Sequence, residues 1–374
     1  MRFSGGGGAA EVEARLGPLA CALEARAEGR GAAPLPREER ARILFAPAAL
    51  GAPELELLRQ AEAEVAPTSS GLARLTLEPA RLLELAERSP AARCLAAAWN
   101  AATSPLGPAR VMGILNVTPD SFSDGGSFLD PEQALAHARA MLSEGADLVD
   151  VGGESSRPGS QPISAALEIE RVLPVIAALA RDGRTAVSVD TTKASVARAA
   201  LEAGASVVND VSAGRNDPEL LGLVAERGAG LILMHMQGNP HDMQRAPSYH
   251  DVVREVVGHL RARARAAWQA GIEPERIALD PGLGFGKSLE HNLALMRALP
   301  ELRSLGFPLC LGASRKSFLG RLSGEELAQR RGSESTAAVA LGAFLGAEIH
   351  RVHEVRAARA ALSVARALTS EKVS

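Results

Sequence analysis

The chain is short of cysteine, of aromatic residues and of lysine, and each shortage excludes something. Its three cysteines, Cys21, Cys94 and Cys310, stand far apart with no C-x-x-C spacing, which argues against a disulfide framework or a zinc site. They read as reduced, buried thiols. The opening MRFSGGGG has no apolar segment of the signal-peptide kind. Nor does a run of about 18 uncharged apolar residues follow, so neither export nor a membrane span is expected. The expected compartment is the cytoplasm. A formal net charge of -3 leaves no basic face for nucleic acid or an anionic membrane, and points to small-molecule partners. Lysine occurs only at Lys193, Lys287, Lys316 and Lys372, the other basic residues being arginine.

What is present begins with length. The 374 residues, 46% of them hydrophobic, exceed what one average domain needs, and two domains are expected. Residues 9–102 are rich in Ala, Leu, Glu and Arg, with β-like runs at 43–45 and 72–77 and helical periodicity near 53–66 and 79–101. This segment reads as a small α/β or mostly α domain, without a phosphate loop or metal-ligand cluster. TSPLGP at 103–108 reads as a linker. The expected division is an accessory domain of unknown role over 1–105 and a catalytic domain over 106–374.

Beyond the linker, apolar runs ending in polar or glycine residues alternate with helical patterns. Expected strands are 110–116, 147–152, 186–190, 206–211, 230–235, 276–281, 308–312 and 347–352. Expected helices include 131–144, 164–181, 193–203, 218–227, 249–270, 289–305, 333–346 and 354–368. Continuous apolar strands separated by helices imply a parallel sheet covered on both faces. Eight such units match the length of a TIM (β/α)8 barrel, typically about 250 residues. A doubly wound open sheet is the alternative, weakened because no G-x-G-x-x-G follows the first strand.

In a barrel the side chains that do chemistry gather where the strands end. Here those ends read Asn116 with TPDSFSDGG, then GGESSRPGSQP, Asp190, Asn209-Asp210, His235-Met236, Asp280 with PGLGFGK, SRKS at 314–317 and Arg351-x-His353. A barrel that did nothing would need only turns and caps there. NVTPDSFSDGG, GGESSRPG, DPGLGFGK, SRKSFLG and RVHEV, in this order over about 110–370, resemble the dihydropteroate synthase family.

That resemblance implies a transferase of folate biosynthesis, a target of sulfonamides, that joins 6-hydroxymethyl-7,8-dihydropterin pyrophosphate to p-aminobenzoate with Mg²⁺. Asp190, Asn209, Asp280 and Lys316 would be the pterin ligands, since carboxylates accept from the ring N–H and amino groups and lysine donates. As single residues, Asp190 and Asp280 also read as helix N-caps. Asn116, Arg351 and His353 would receive the pyrophosphate, with Asn116 the protein ligand to a metal that prefers oxygen and keeps several waters. Asp190, Asp280, Lys316, Arg351 and His353 are the expected catalytic set, the carboxylates stabilising a pterin cation and the basic groups the departing anion. Phe122, Pro158 and Phe285 offer walls for the aminobenzoate ring, Ser317 a partner for its carboxylate, and Arg157 a closure. Asp124 organises the first loop, and Met234 completes the substrate-binding set.

Three of the four lysines follow strand ends. Lys316 is the functional choice because an ammonium is a compact point charge, and simple exposure accounts for Lys193 and Lys287. A Schiff-base lysine is the competing use. Two other functions stay open: a methyltetrahydrofolate:corrinoid methyltransferase, which would have no use for SRKS and RVH, and a non-catalytic pterin-binding barrel. Ala-rich helices over 333–346 and 354–368 make a homodimer the expected assembly.

Overall fold

The computed structural model describes residues 109–118, 131–155, 159–183, 185–239, 241–303 and 305–369, and five strands before them. Those strands are β1 (Ala9–Leu16), β2 (Cys21–Glu28), β3 (Ala41–Phe45), β4 (Glu64–Pro67) and β5 (Ala73–Leu77), paired antiparallel in the order β1-β2-β3-β5-β4. The β-like runs at 43–45 and 72–77 thus lie in strands. Residues 64–66, expected to end a helix, instead pair with β5. Helical periodicity over three residues is a weak constraint beside a ladder partner. The rest of 53–63, and 79–101, lie outside the described residues. Strands β1 and β2 were not foreseen, although AAEVEARL and CALEARAE alternate apolar and charged positions with period two.

The second compact unit, Pro108–Arg297 with Pro308–Ser370, carries eight parallel strands: β6 (Arg110–Asn116), β7 (Leu148–Gly152), β8 (Ala186–Asp190), β9 (Val207–Asp210), β10 (Gly230–Met234), β11 (Ile277–Asp280), β12 (Cys310–Leu311) and β13 (Ile349–Val352). Each pairs with the next from β6 to β11, and β12 pairs β13, which returns to β6. A parallel bridge between Leu279 and Leu309, with the Leu279 N–H donating to Pro308 O at 2.9 Å, joins β11 to the start of β12 and closes the circle. The expected barrel is present.

Helices α1 (Pro131–Ser143), α2 (Ala165–Asp182), α3 (Ala194–Glu202), α4 (Leu220–Arg227), α5 (Val252–Gln269), α6 (Leu289–Arg297), α7 (Leu299–Arg303), α8 (Ser317–Ser323), α9 (Gly332–Phe344) and α10 (Val355–Thr369) complete the described part. Their ends follow local chemistry. Ser164 Oγ accepts from the Leu167 N–H at the start of α2, Gly183 closes it with φ 61°, and Asp251 caps α5 through the Arg254 N–H. The single helix expected over 289–305 breaks at Ala298, because Pro300 has no N–H for the carbonyl of residue 296 and its ring crowds that carbonyl.

Inside the barrel, Met112, Leu148, Ile232, Ala278 and Cys310 form one buried cluster. These come from five different strands, so the interior is packed. Cys310 is a free buried thiol, as expected, and burial pushes its pKa up. Cys21 and Cys94 have side chains outside the described residues. Among the described residues no helix is long and apolar enough to cross a membrane.

Candidate active site

The strand ends enclose a cavity of about 380 Å³. Asn116, Asp190, Asn209, Met234, Asp280, Phe285, Lys316, Ser317, Arg351 and His353, singled out in the sequence, all line it. Phe122, Asp124, Arg157 and Pro158 lie outside the described residues.

At the floor, one cation serves two carboxylates. Arg351, on β13, donates through Nε to Asp150 Oδ2 and through Nη2 to Asp190 Oδ2, each at 2.6 Å. Asn209 Nδ2 donates to the same Asp150 oxygen at 3.0 Å, while Asp150 Oδ1 is buried without a hydrogen-bond partner. With both carboxylates ionised this group carries a net negative charge, which like charges in a dry site resist. Burial first, and then the Asp150 charge, push the Asp190 carboxyl up to about 7 against the pull of Arg351. Arg351 stays protonated, because the two carboxylates outweigh its desolvation. The sequence pointed to Arg351 as an anion-binding group; here its guanidinium is engaged by carboxylates. Asp150 was missed. Its signal was a charged residue in the otherwise apolar, fully buried strand LVDVG.

Asn116 and Asp190 flank Gly152: a Cβ there would sit 3.7 Å from Asn116 Oδ1 and from Asp190 Oδ2. Across the cavity, Asp280 is 6% exposed and accepts the Gly282 N–H at 2.7 Å. Burial raises its pKa, with the Gly282 hydrogen bond, Lys316, Arg351 and Lys287 pulling back.

Lys316 precedes α8 and holds Nζ 3.9 Å from the centroid of the Phe285 ring, a cation–π contact. Phe285 packs with Met234, Met236 and Met243. On the last side, Ser314 Oγ lies 3.0 Å from His353 Nδ1 and accepts the His353 N–H at 3.2 Å. Arg315, in the left-handed region at φ 59°, is tied by its N–H to Ser335 Oγ and by its guanidinium to Glu354. That turn presents Lys316 and Ser317 to the cavity.

Exposure does not account for the other two lysines. Lys193 bridges Glu154 and the buried Glu168, fastening the segment after β7 to α2. Lys287 is 3% exposed, its Nζ 3.0 Å from His235 Nδ1 and 2.9 Å from Phe285 O. An ammonium can be buried where fixed acceptors replace its water.

Among the described residues no group of three or more His, Cys, Asp or Glu side chains is placed to hold a metal ion. A dedicated all-protein cage is therefore not built from them.

Comparison with known proteins agrees with this geometry. A family model described as pterin binding enzyme matches residues 112–353. The dihydropteroate synthase of Mycobacterium leprae is 52% identical over 268 residues, covering 69% of this chain and 93% of that protein. That of Escherichia coli is 45% identical over 262 residues, covering 70% and 92%. The solved dihydropteroate synthase of Xanthomonas albilineans with 4-aminobenzoic acid matches with a TM-score of 0.67 at 47% identity, over 71% of this chain and 94% of that one. The same organism's enzyme in complex with 7,8-dihydropteroate matches with a TM-score of 0.65 at 45% identity, over 71% and 95%. With likeness at this level over nearly the whole of its relatives, the chain belongs to the dihydropteroate synthase family of pterin-binding enzymes.

Proposed function

We propose that the cavity binds 6-hydroxymethyl-7,8-dihydropterin pyrophosphate and p-aminobenzoate and joins them to 7,8-dihydropteroate, releasing pyrophosphate. The observation that carries this reading is the convergence of Asp190, Asn209, Asp280, Lys316 and Arg351 on one cavity. A pterin edge presents adjacent donors and acceptors, and this set offers carboxylate acceptors, an amide of either polarity and a cationic donor.

The bond that breaks joins the pterin methylene to the pyrophosphate oxygen. As it lengthens, positive charge spreads over the pterin and negative charge gathers on the leaving group. Asp190 and Asp280 line the cavity beside the first charge, Asp150 is linked to Asp190 through Arg351, and all three are fixed before reaction by Arg351, Asn209 and the Gly282 N–H. Fixed dipoles and charges aimed where charge develops are the largest usual source of rate enhancement. Asn116 and His353, at the ends of β6 and β13, are assigned to the leaving anion, with Arg351 at the same strand end. The aniline nitrogen of p-aminobenzoate then attacks the methylene carbon and loses its proton. It needs positioning and exclusion of water more than a strong base. Phe285 and Met234 offer the apolar wall, and Ser317, at the start of α8, faces the carboxylate.

Magnesium is assigned here as a companion of the pyrophosphate. A single amide oxygen, Asn116 Oδ1, fits an ion that keeps most of its waters and takes substrate phosphate oxygens, better than it fits a resident metal. When bound, the ion would neutralise negative charge on the leaving group.

Several coarser readings accompany this one. Leu341 and Phe344 on α9, and Val364 and Leu368 on α10, are more than half exposed, which supports a homodimer through these helices; light scattering on the purified chain tests it. The domain division at 105/106 and the cytoplasmic location rest on the sequence, and truncation and cell fractionation test them. A solved relative, the Yersinia pestis enzyme, is described in complex with a sulfonamide drug. The corresponding expectation is inhibition competitive with p-aminobenzoate. The experiment for the main reading is formation of dihydropteroate from the two substrates with Mg²⁺.

A further inference from the structure

The DPGLGFGK turn after β11 is pressed against the end of β10 more closely than side chains allow. Gly282 and Gly286 have φ of 67° and 62°, and a Cβ on them would stand 1.9 Å from His235 O and 2.3 Å from Gln237 O. Glycine is required there on both counts. Close approach alone does not hold a turn in place; something must fasten it.

Lys287, the last residue of the motif, does so from inside. Its Nζ reaches His235 Nδ1 at 3.0 Å, His235 O at 3.3 Å and Phe285 O at 2.9 Å. Burial lowers the Lys287 pKa to about 7, against the pull of the Asp280 charge; the ammonium form has three donors and no acceptor, and these contacts use all three. Two belong to the segment following β10 and one to the turn. The partner ring is held neutral: burial, Lys287, His259 and Arg215 lower the His235 pKa to about 2, so Nδ1 remains available as an acceptor. The rest of the turn has other ties. Gly284 N–H donates to Asn292 Oδ1 at 2.7 Å, and the Tyr249 hydroxyl donates to Gly286 O at 2.8 Å. Lys287 holds the Phe285 carbonyl. The Phe285 ring in turn carries the Lys316 ammonium 3.9 Å from its centroid.

We propose that Lys287 is a positioning residue for the second substrate: its buried Nζ pins Phe285 to the end of β10 and so sets the apolar wall and the Lys316 contact that p-aminobenzoate meets. This rests on the function proposed above. Asp280 depends less on Lys287, because its carboxylate is fixed by the β11 strand and the Gly282 N–H. Loss of Lys287 should therefore divide the two substrates.

The test uses the full chain. Lys287→Met, which keeps the stem and removes the donors, should raise KM for p-aminobenzoate about tenfold or more, in line with loss of hydrogen bonds from a charged group. Affinity for the pterin pyrophosphate, titrated without p-aminobenzoate, should change by less than about threefold, within the spread of unrelated surface changes. Because Lys287 acts through Phe285, the double variant Lys287→Met/Phe285→Leu should raise that KM little further than Phe285→Leu alone. Should Lys287→Met fail to fold, Lys287→Gln, which keeps a shorter donor, should show the same division at smaller size. Equal losses for both substrates, a change in kcat alone, or fully additive effects in the double variant would each overturn the proposal. If wild-type chain forms no dihydropteroate, the functional reading itself fails; if it does and Lys287→Met leaves KM for p-aminobenzoate unchanged, only this inference fails.

Discussion

Replacing Arg351 by Met takes away the cation that Asp150 and Asp190 share. The side chains involved are 20%, 0% and 12% exposed, and both hydrogen bonds are 2.6 Å long. Removing one partner of a buried pair costs about 3–5 kcal/mol, chiefly because the remaining charge is left unpaired. Asp190 can take up a proton in response and Arg351 is partly solvated, so the lower end, about 3 kcal/mol, is expected. Asp150→Asn alone removes a charge-assisted acceptor and should cost about 1–3 kcal/mol. In Arg351→Met/Asp150→Asn one of the two carboxylates left unpaired is gone, and the loss should fall short of the sum by about 1–2 kcal/mol. Urea unfolding followed by the fluorescence of Trp268, half-buried on α5, reads the barrel itself once Trp99→Phe is placed in all four backgrounds. Losses that add to within about 0.5 kcal/mol would mean that Arg351 and Asp150 do not interact in solution. The charge arrangement proposed for the cavity floor would then be wrong.

Other outcomes follow from the same geometry. Lys316→Ala should lower kcat/KM at least about tenfold with the fold intact, and Lys316→Arg should not rescue it, since a larger planar fork does not replace a compact ammonium donor in a tight pocket; unchanged kinetics would remove Lys316 from the site. With its pKa at about 7, Asp190 is protonated below that pH and a poorer acceptor, so kcat/KM should fall as pH drops through this range. Asp150→Asn removes a like charge and should move that limb to lower pH, whereas an unmoved limb would contradict the pairing. The raised pKa also means that the ligand-free barrel loses stability as pH rises from 3.8 through about 7, because the folded state holds a proton the unfolded chain has released. A chain beginning near Ser104 should fold and catalyse, as all eight barrel strands lie beyond it; insoluble or inactive truncated protein beside soluble full-length protein would reject that boundary.

The barrel was legible because its strands are largely buried and read as mainly apolar runs that end at glycine or polar residues. Asp190, Asn209, Asp280 and Arg351 were legible for the same reason, being the polar groups at which those runs stop. Asp150 was not, because it lies in the middle of β7, where interior packing is expected and where the facing Arg351 and Asn209 make the charge tolerable. Lys287 misled differently. A lysine beyond a glycine-rich turn looks exposed, and its burial depends on a histidine ring and two carbonyls that the turn brings together only in three dimensions. β1 and β2 were passed over because alanine and glutamate favour helices, while the period-two alternation that ladder pairing uses went uncounted. Pro300 was the visible sign that the helix expected over 289–305 would break.

The central claim is that this chain joins a pterin pyrophosphate to p-aminobenzoate at the end of the barrel. Full-length protein incubated with 6-hydroxymethyl-7,8-dihydropterin pyrophosphate, p-aminobenzoate and Mg²⁺ should form 7,8-dihydropteroate and pyrophosphate in equal amounts, and Asp280→Asn should abolish most of that turnover. Folded protein that binds the pterin substrate yet forms no dihydropteroate, or turnover untouched by Asp280→Asn, would contradict it.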